Sequence, residues 1–306
     1  MVYNNARKII FMARIFRRRR MERTPVVAGQ FYEGTRAGLM RSIEKCFLAD
    51  LGPGSLPEKN PNRIGRISGL VCPHAGYMYS GMAAAHAFGA LAQDGIPDTA
   101  VLLGPNHYGL GAGVAISPDE VWVTPLGPLQ ADKEAIERIL NLSKYAELDE
   151  LGHMREHSLE VQLPFLQYIG GTDTKIVPIT IAHLNEDDAL KLIDDLGTAI
   201  AKALECKSAV VIASTDFTHY EPKSTAEARD ALAIEQISKL DGKGLIRTVY
   251  SKSITMCGVV GTAVMLEACK RLGANSAQKL TYYTSGDITG DTTQVVGYGA
   301  LSIKVI

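Results

Sequence analysis

The amino-acid sequence predicts an α/β fold of three layers, α/β/α. Short β-rich runs alternate with longer amphipathic segments along nearly the whole chain. Several of the short runs, GLVC (69–72) and VVIAS (210–214) among them, are apolar without alternation, which suits strands covered by helices on both faces. With 306 residues, 46% of them apolar and 21% charged, the chain is in the range of one large globular domain, and disorder and fibrous structure are excluded.

In chain order, a first helix is expected over 36–47. A polar turn cluster, LGPGSLPEKNPN (51–62), separates it from a first strand over 68–72. Further strands are expected over 99–103, 175–181, 209–214, 280–283 and 295–303, and helices over 81–92, 132–142, 159–168, 186–203, 225–240 and 259–271. No Pro-, Gly- or Ser-rich stretch is long enough to be a linker and no internal repeat is evident, so residues 21–306 read as one body. The apolar runs are broken well short of the roughly 18 residues of a membrane span, so no membrane-spanning helix is expected.

Charge is uneven. Seven of the 32 basic residues lie within 1–20, a segment with no acid, which leaves 25 basic against 33 acidic residues in the body. An acidic body argues against nucleic-acid binding. The basic leader, 1–20, fits no secretion signal and is expected to be disordered or to precede a true start at Met21. The five cysteines (46, 72, 206, 257 and 269) are odd in number and form no C-x-x-C, so neither a disulfide framework nor a zinc ribbon is expected, and a reducing, cytoplasmic compartment is.

The chemistry collects just past the predicted strands, at PHAGY (73–77), PNHYG (105–109), His183 and DFTHY (216–220), so four of the seven histidines share one kind of position. In open α/β sheets the carboxyl edge of the strands is where ligands bind, and a metal or acid/base site is the favoured reading. Cys257 stands where a helix is expected to begin, a position that favours the thiolate. A set of imidazoles and one thiolate suits iron, copper or zinc rather than magnesium or calcium. Cys72 lies two residues from His74, but strand geometry does not easily bring both onto one metal.

A competing pattern is His153-Met154-Arg155-Glu156-His157, the H-x-x-E-H of inverted zinc proteases. Gly152 precedes it and its surroundings are polar, and Ser158 with Glu160 reads better as the start of the helix LEVQLPFL. No G-x-S-x-G and no phosphate-binding G-x-x-x-x-G-K-[ST] is present. TSGDITGD (284–291) reads as a turn-rich loop with Asp287 and Asp291 solvated.

Seven motifs in order, PVVAGQFYEG, VCPHAGYMYSG, LLGPNHYG, EHSLEVQLPFLQY, STDFTHY, TMCG and VVGYGALSI, resemble the Memo family, named for an animal mediator of cell motility. The resemblance runs from Arg23 to the end, with one small departure at Glu33, where the family usually has Pro. It implies a fold like that of class III extradiol dioxygenases, the non-haem iron enzymes that open catechol rings. It also implies His74, His107 and Cys257 as metal ligands, with Asp216 and His219 close by. Cys257 stands where those dioxygenases have a carboxylate, and an oxidisable sulfur beside the metal weighs against ring cleavage. Metal-dependent redox chemistry, phosphopeptide binding and a scaffold role are all attached to the family, and its microbial members resemble partners of a radical S-adenosylmethionine protein. The expectation is a cytoplasmic metal-dependent oxidoreductase using iron or copper, with zinc possible. His219 would be the general acid/base, and Asp216 would orient it or the substrate. The alternative is a non-catalytic protein that holds a peptide or anionic ligand in the same cleft.

Overall fold

The computed structural model describes residues 22–306, so the expectation for the basic leader falls outside the described residues. The elements run β1 (Glu22–Arg23), α1 (Arg36–Leu48), β2 (Ile67–Cys72), α2 (Tyr77–Asp94), β3 (Thr99–Pro105), β4 (Val114–Ile116), β5 (Val121–Thr124), β6 (Gly127–Gln130), α3 (Lys133–Leu142) and β7 (Ala146–Leu148). After a single 3-10 turn (Glu160–Gln162) follow α4 (Leu163–Gly170), β8 (Lys175–Ile181), α5 (Glu186–Leu204), β9 (Ala209–Ser214), β10 (His219–Glu221), α6 (Lys223–Ser238), α7 (Gly242–Ser251), α8 (Val259–Arg271), β11 (Ser276–Thr284), α9 (Gly286–Thr289) and β12 (Val295–Lys304).

The centre of the main sheet is four parallel strands in the order β2-β9-β3-β8. Antiparallel β12, with β10 and β11 on it, extends one side, and β4 with β7 extends the other. Along β3, Val101 and Leu103 point into a core formed with α3, α5, α6, α7 and α8, while Ala100 and Leu102 point into a second core formed with α1, α2 and α4. Burial on both faces is why these strands carry no polar alternation, and the three-layer α/β/α expectation holds.

The elements that escaped sequence reading are mostly short. Strands of three or four residues (β4 to β7) are too brief to show a period, and three of them join β1 or the sheet edge through pairing alone. Helix α2 begins four residues before the expected 81, because the Gly76 carbonyl accepts the amides of Tyr79 and Ser80. Strand β11 starts at Ser276, four residues early, since its polar first half is held by the ladder with β12. The loop expected over 284–291 instead holds the one-turn helix α9, and Asp287 is not simply solvated. It accepts from the amide and hydroxyl of Thr284 and pairs with Lys223. No helix among the described residues is long and apolar enough to cross a membrane.

Candidate metal centre

Three neighbouring parallel strands end at one edge. Strand β2 runs through Pro73 into His74, β9 runs into Asp216, and β3 runs into His107, with Cys72 in register with Ser214 across the β2–β9 ladder. Cys257 arrives from the opposite direction, on the segment before α8. Gly258, which caps that helix, allows the approach, because a Cβ there would overlap the Ser214 carbonyl and the Thr215 side chain. One ligand atom each from His74, His107 and Cys257 then lies within 4.8 Å of the others. The Cys257 sulfur is 3.4 Å from His74 Nε2.

Hydrogen bonds fix which nitrogen each histidine presents. The Ser214 hydroxyl donates to the Ser158 carbonyl (2.7 Å) and accepts from Gln162 Nε2 (2.8 Å), so at 3.0 Å it accepts from His74 Nδ1. Nδ1 therefore carries the hydrogen, and Nε2 offers its lone pair toward Cys257. His107 Nδ1 lies 2.9 Å from Glu156 Oε1, and its amide donates to Oε2 at 2.7 Å. Burial alone would raise the Glu156 carboxyl. The bond from His107, with help from the Ser158 amide and His157, outweighs this and lowers it to about 2. An ionised Glu156 accepts the Nδ1 hydrogen and again leaves Nε2 for a ligand, the carboxylate–histidine arrangement found behind metal-bound imidazoles. His74 is 2% exposed, and burial, reinforced by His107 and His157, holds it well below the usual imidazole range, hence neutral as a metal ligand must be.

The thiol departs from expectation. Its place before a helix predicts thiolate. Instead, burial pushes Cys257 up to about 12, and the Asp216 carboxylate pushes the same way against the backbone bonds that favour the anion. Desolvation outweighs a helix end that acts only through partial charge. The sulfur lies 3.5 Å from the Asp216 carbonyl, to which a thiol would donate weakly, and binding a metal as thiolate would release that proton.

Asp216 and His219 lie outside the converging set. Asp216 is buried, and its Oδ1 accepts the His74 amide at 2.8 Å, so it braces the backbone of His74. Desolvation raises its carboxyl despite the His74 bond. No bond joins Asp216 to His219. The Thr255 carbonyl, 2.9 Å from His219 Nδ1, is what holds that ring, because a carbonyl can only accept and so fixes the hydrogen on Nδ1 and leaves Nε2 with its lone pair. His183 is exposed and not part of the set. Cys72 is buried in the second core and is not one of the converging ligands.

The H-x-x-E-H segment is not a helix. His153 is buried, its Nε2 bonded to the Ala115 carbonyl (3.0 Å), while Glu156 and His157 turn the other way. The His157 ring stacks on His107, with centroids 4.9 Å apart and planes 13° apart. His107, Glu156 and His157 also form a converging group, but there Glu156 already accepts the Nδ1 hydrogen of His107.

Residues 23–302 match the sequence profile of the Memo-like proteins. The chain is 45% identical over 286 residues to a MEMO1 family protein of Methanopyrus kandleri, covering 93% of this chain and 99% of that one. It is 46% identical over 285 residues to one of Methanothermobacter thermautotrophicus, covering 92% and 100%. The chain belongs to the Memo-like family. Among solved structures, an uncharacterized protein from Escherichia coli K12 superposes with a TM-score of 0.52 at 14% identity, covering 76% of this chain and all of that one, which shows a shared fold. Sequence reading of this Memo-like chain placed Glu156 and His157 only in a protease-like pattern and missed Ser214 and Gln162, although these four groups aim and flank the imidazoles. One signal was available, the polar run EHS (156–158) immediately before an apolar helix; in the structure Glu156 and Ser158 are buried.

Proposed function

We propose that the chain is a metal-dependent oxidoreductase holding one iron or copper ion, with zinc also accommodated, on His74, His107 and Cys257. The observation that carries this is the convergence of three ligand atoms in which both histidines are held, by Ser214 and Glu156, in the tautomer that presents Nε2. The donor set fits: ligands at about 2.0 to 2.3 Å from an ion sit roughly 3.3 to 3.8 Å apart, Cys257 and His74 are 3.4 Å apart with the whole set within 4.8 Å, and three protein ligands leave a position open. An iron or copper ion would supply the electron-transfer and oxygen chemistry that side chains lack.

The chain's own residues would do the rest. Glu156 and Ser214 hold the imidazoles, Asp216 braces the His74 backbone, and His219 gives or takes a proton at Nε2. The site works in the cytoplasm, where thiols such as the five unpaired cysteines stay reduced. A radical S-adenosylmethionine protein is the partner that the family resemblance suggests.

Cys257→Ser, purified anaerobically, should lose most of its iron or copper, while Cys206→Ser, altered at an exposed cysteine, should keep it. Equal metal content in the two variants would remove Cys257 from the site.

A further inference from the structure

A cavity of about 530 Å³ opens beside His107 and Cys257, within the roughly 300 to 1,000 Å³ of small-molecule sites. Its walls come from the carboxyl ends of β3 and β8, the last turn of α7, the segment 253–258 and the first turn of α8. We propose that this cavity takes an uncharged, largely apolar small molecule and is the substrate pocket of the metal site. Its role as a substrate pocket rests on the metal reading above, whereas the charge class of the ligand rests on the walls alone.

Ile181, Val249, Ile254, Met256, Val259 and Val260 supply the apolar surface. Among the described residues that line the cavity, none is Lys, Arg, Asp or Glu. The Tyr250 hydroxyl is committed to the Leu184 carbonyl, so this residue presents its ring. The amino end of α8, equivalent to about half a charge, also faces the space. Cys257 sits directly before it, and the Asp216 carboxyl, which accepts the His74 amide, is not among the groups that line the cavity. On the walls an incoming phosphate or carboxylate would therefore lose water without meeting a lysine or arginine, and an ammonium would meet no carboxylate. Neutral polar groups fare better. Asn106 donates through Nδ2 to the Leu110 carbonyl and keeps its own oxygen as an acceptor, and Ser253 and His183 add hydrogen-bonding groups to the lining. These walls disfavour the anionic or phosphorylated peptide of the alternative reading.

Three probes with one apolar body separate the cases: 4-phenylbutan-1-ol, 4-phenylbutyrate and 4-phenylbutylamine, with phosphotyrosine as a fourth. Binding is followed by methyl NMR of the full chain, as purified and after chelation, so that a carboxylate ligating a metal is distinguished from one held by the walls. The alcohol should shift the methyl signals of Ile181, Ile254 and Met256 and bind about tenfold or more tightly than the acid or amine to the chelated protein. Ala182→Trp, which places a large ring in the cavity, should abolish this while metal content persists. Val260→Phe serves the same purpose if the first variant does not fold. Acid, amine or phosphotyrosine binding the chelated protein as well as the alcohol does would overturn the proposal, as would no binding of any probe at millimolar concentration, or shifts confined to methyls elsewhere. Metal content is measured independently: alcohol binding to a chain that takes up no metal would sink the metal reading and leave the ligand class standing.

Discussion

Replacing Arg23 by Met should destabilise the chain by about 3 to 5 kcal/mol, the range for removing one partner of a buried ion pair. Arg23 is 7% exposed and Glu160 fully buried, and Nη1 meets Glu160 Oε2 at 2.8 Å. The guanidinium also donates to the carbonyls of Glu156 (2.6 Å) and His153 (3.2 Å) and lies 4.0 Å over the Trp122 ring. Methionine retains an apolar stem but supplies none of these donors. Glu160 would keep the amides of Val26 and Val27 and the Tyr32 hydroxyl, but no cation. Because the same guanidinium ties down the segment that carries Glu156, metal affinity should fall along with stability. Urea unfolding reads the first effect and metal titration the second; a loss below about 1 kcal/mol would show that this pair is not structurally important.

His219→Gln should leave metal content intact and lower any metal-dependent oxygen consumption by roughly 10² to 10⁴-fold, the usual contribution of a general acid or base. Glutamine retains a donor for the Thr255 carbonyl and approximate size, but it does not titrate near neutral pH. His219 stands outside the converging ligand atoms, yet near enough for its charge to act on both Asp216 and His74. Loss of metal as complete as in His74→Ala would make it a ligand instead. Unchanged turnover would make it a bystander.

The central strands and the helices that cover them were legible because each is long enough to show its period or its two-sided burial. His74, His107 and Cys257 were reachable because a topology that ends β2, β9 and β3 side by side collects whatever follows them. What escaped was the support around them. Glu156 acts on His107 across 49 residues, and in sequence it sits inside a motif whose spacing suggests a helix, whereas Gly152 and the turn that follows send His153 to one side and Glu156 with His157 to the other. Ser214 lies at the end of an apolar strand, and nothing local shows that its hydroxyl serves three partners. The Cys257 thiol was misread for a similar reason, since a helix end is visible in sequence and desolvation is not.

X-ray absorption on the zinc-loaded chain tests the ligand set most directly, because zinc binds without redox change. Convergence of His74, His107 and Cys257 predicts one sulfur at about 2.3 Å and two imidazole nitrogens at about 2.0 to 2.1 Å, with the sulfur signal absent from Cys257→Ser. A zinc ion surrounded only by nitrogen and oxygen in the unaltered chain, or a sulfur signal that survives Cys257→Ser, would contradict it.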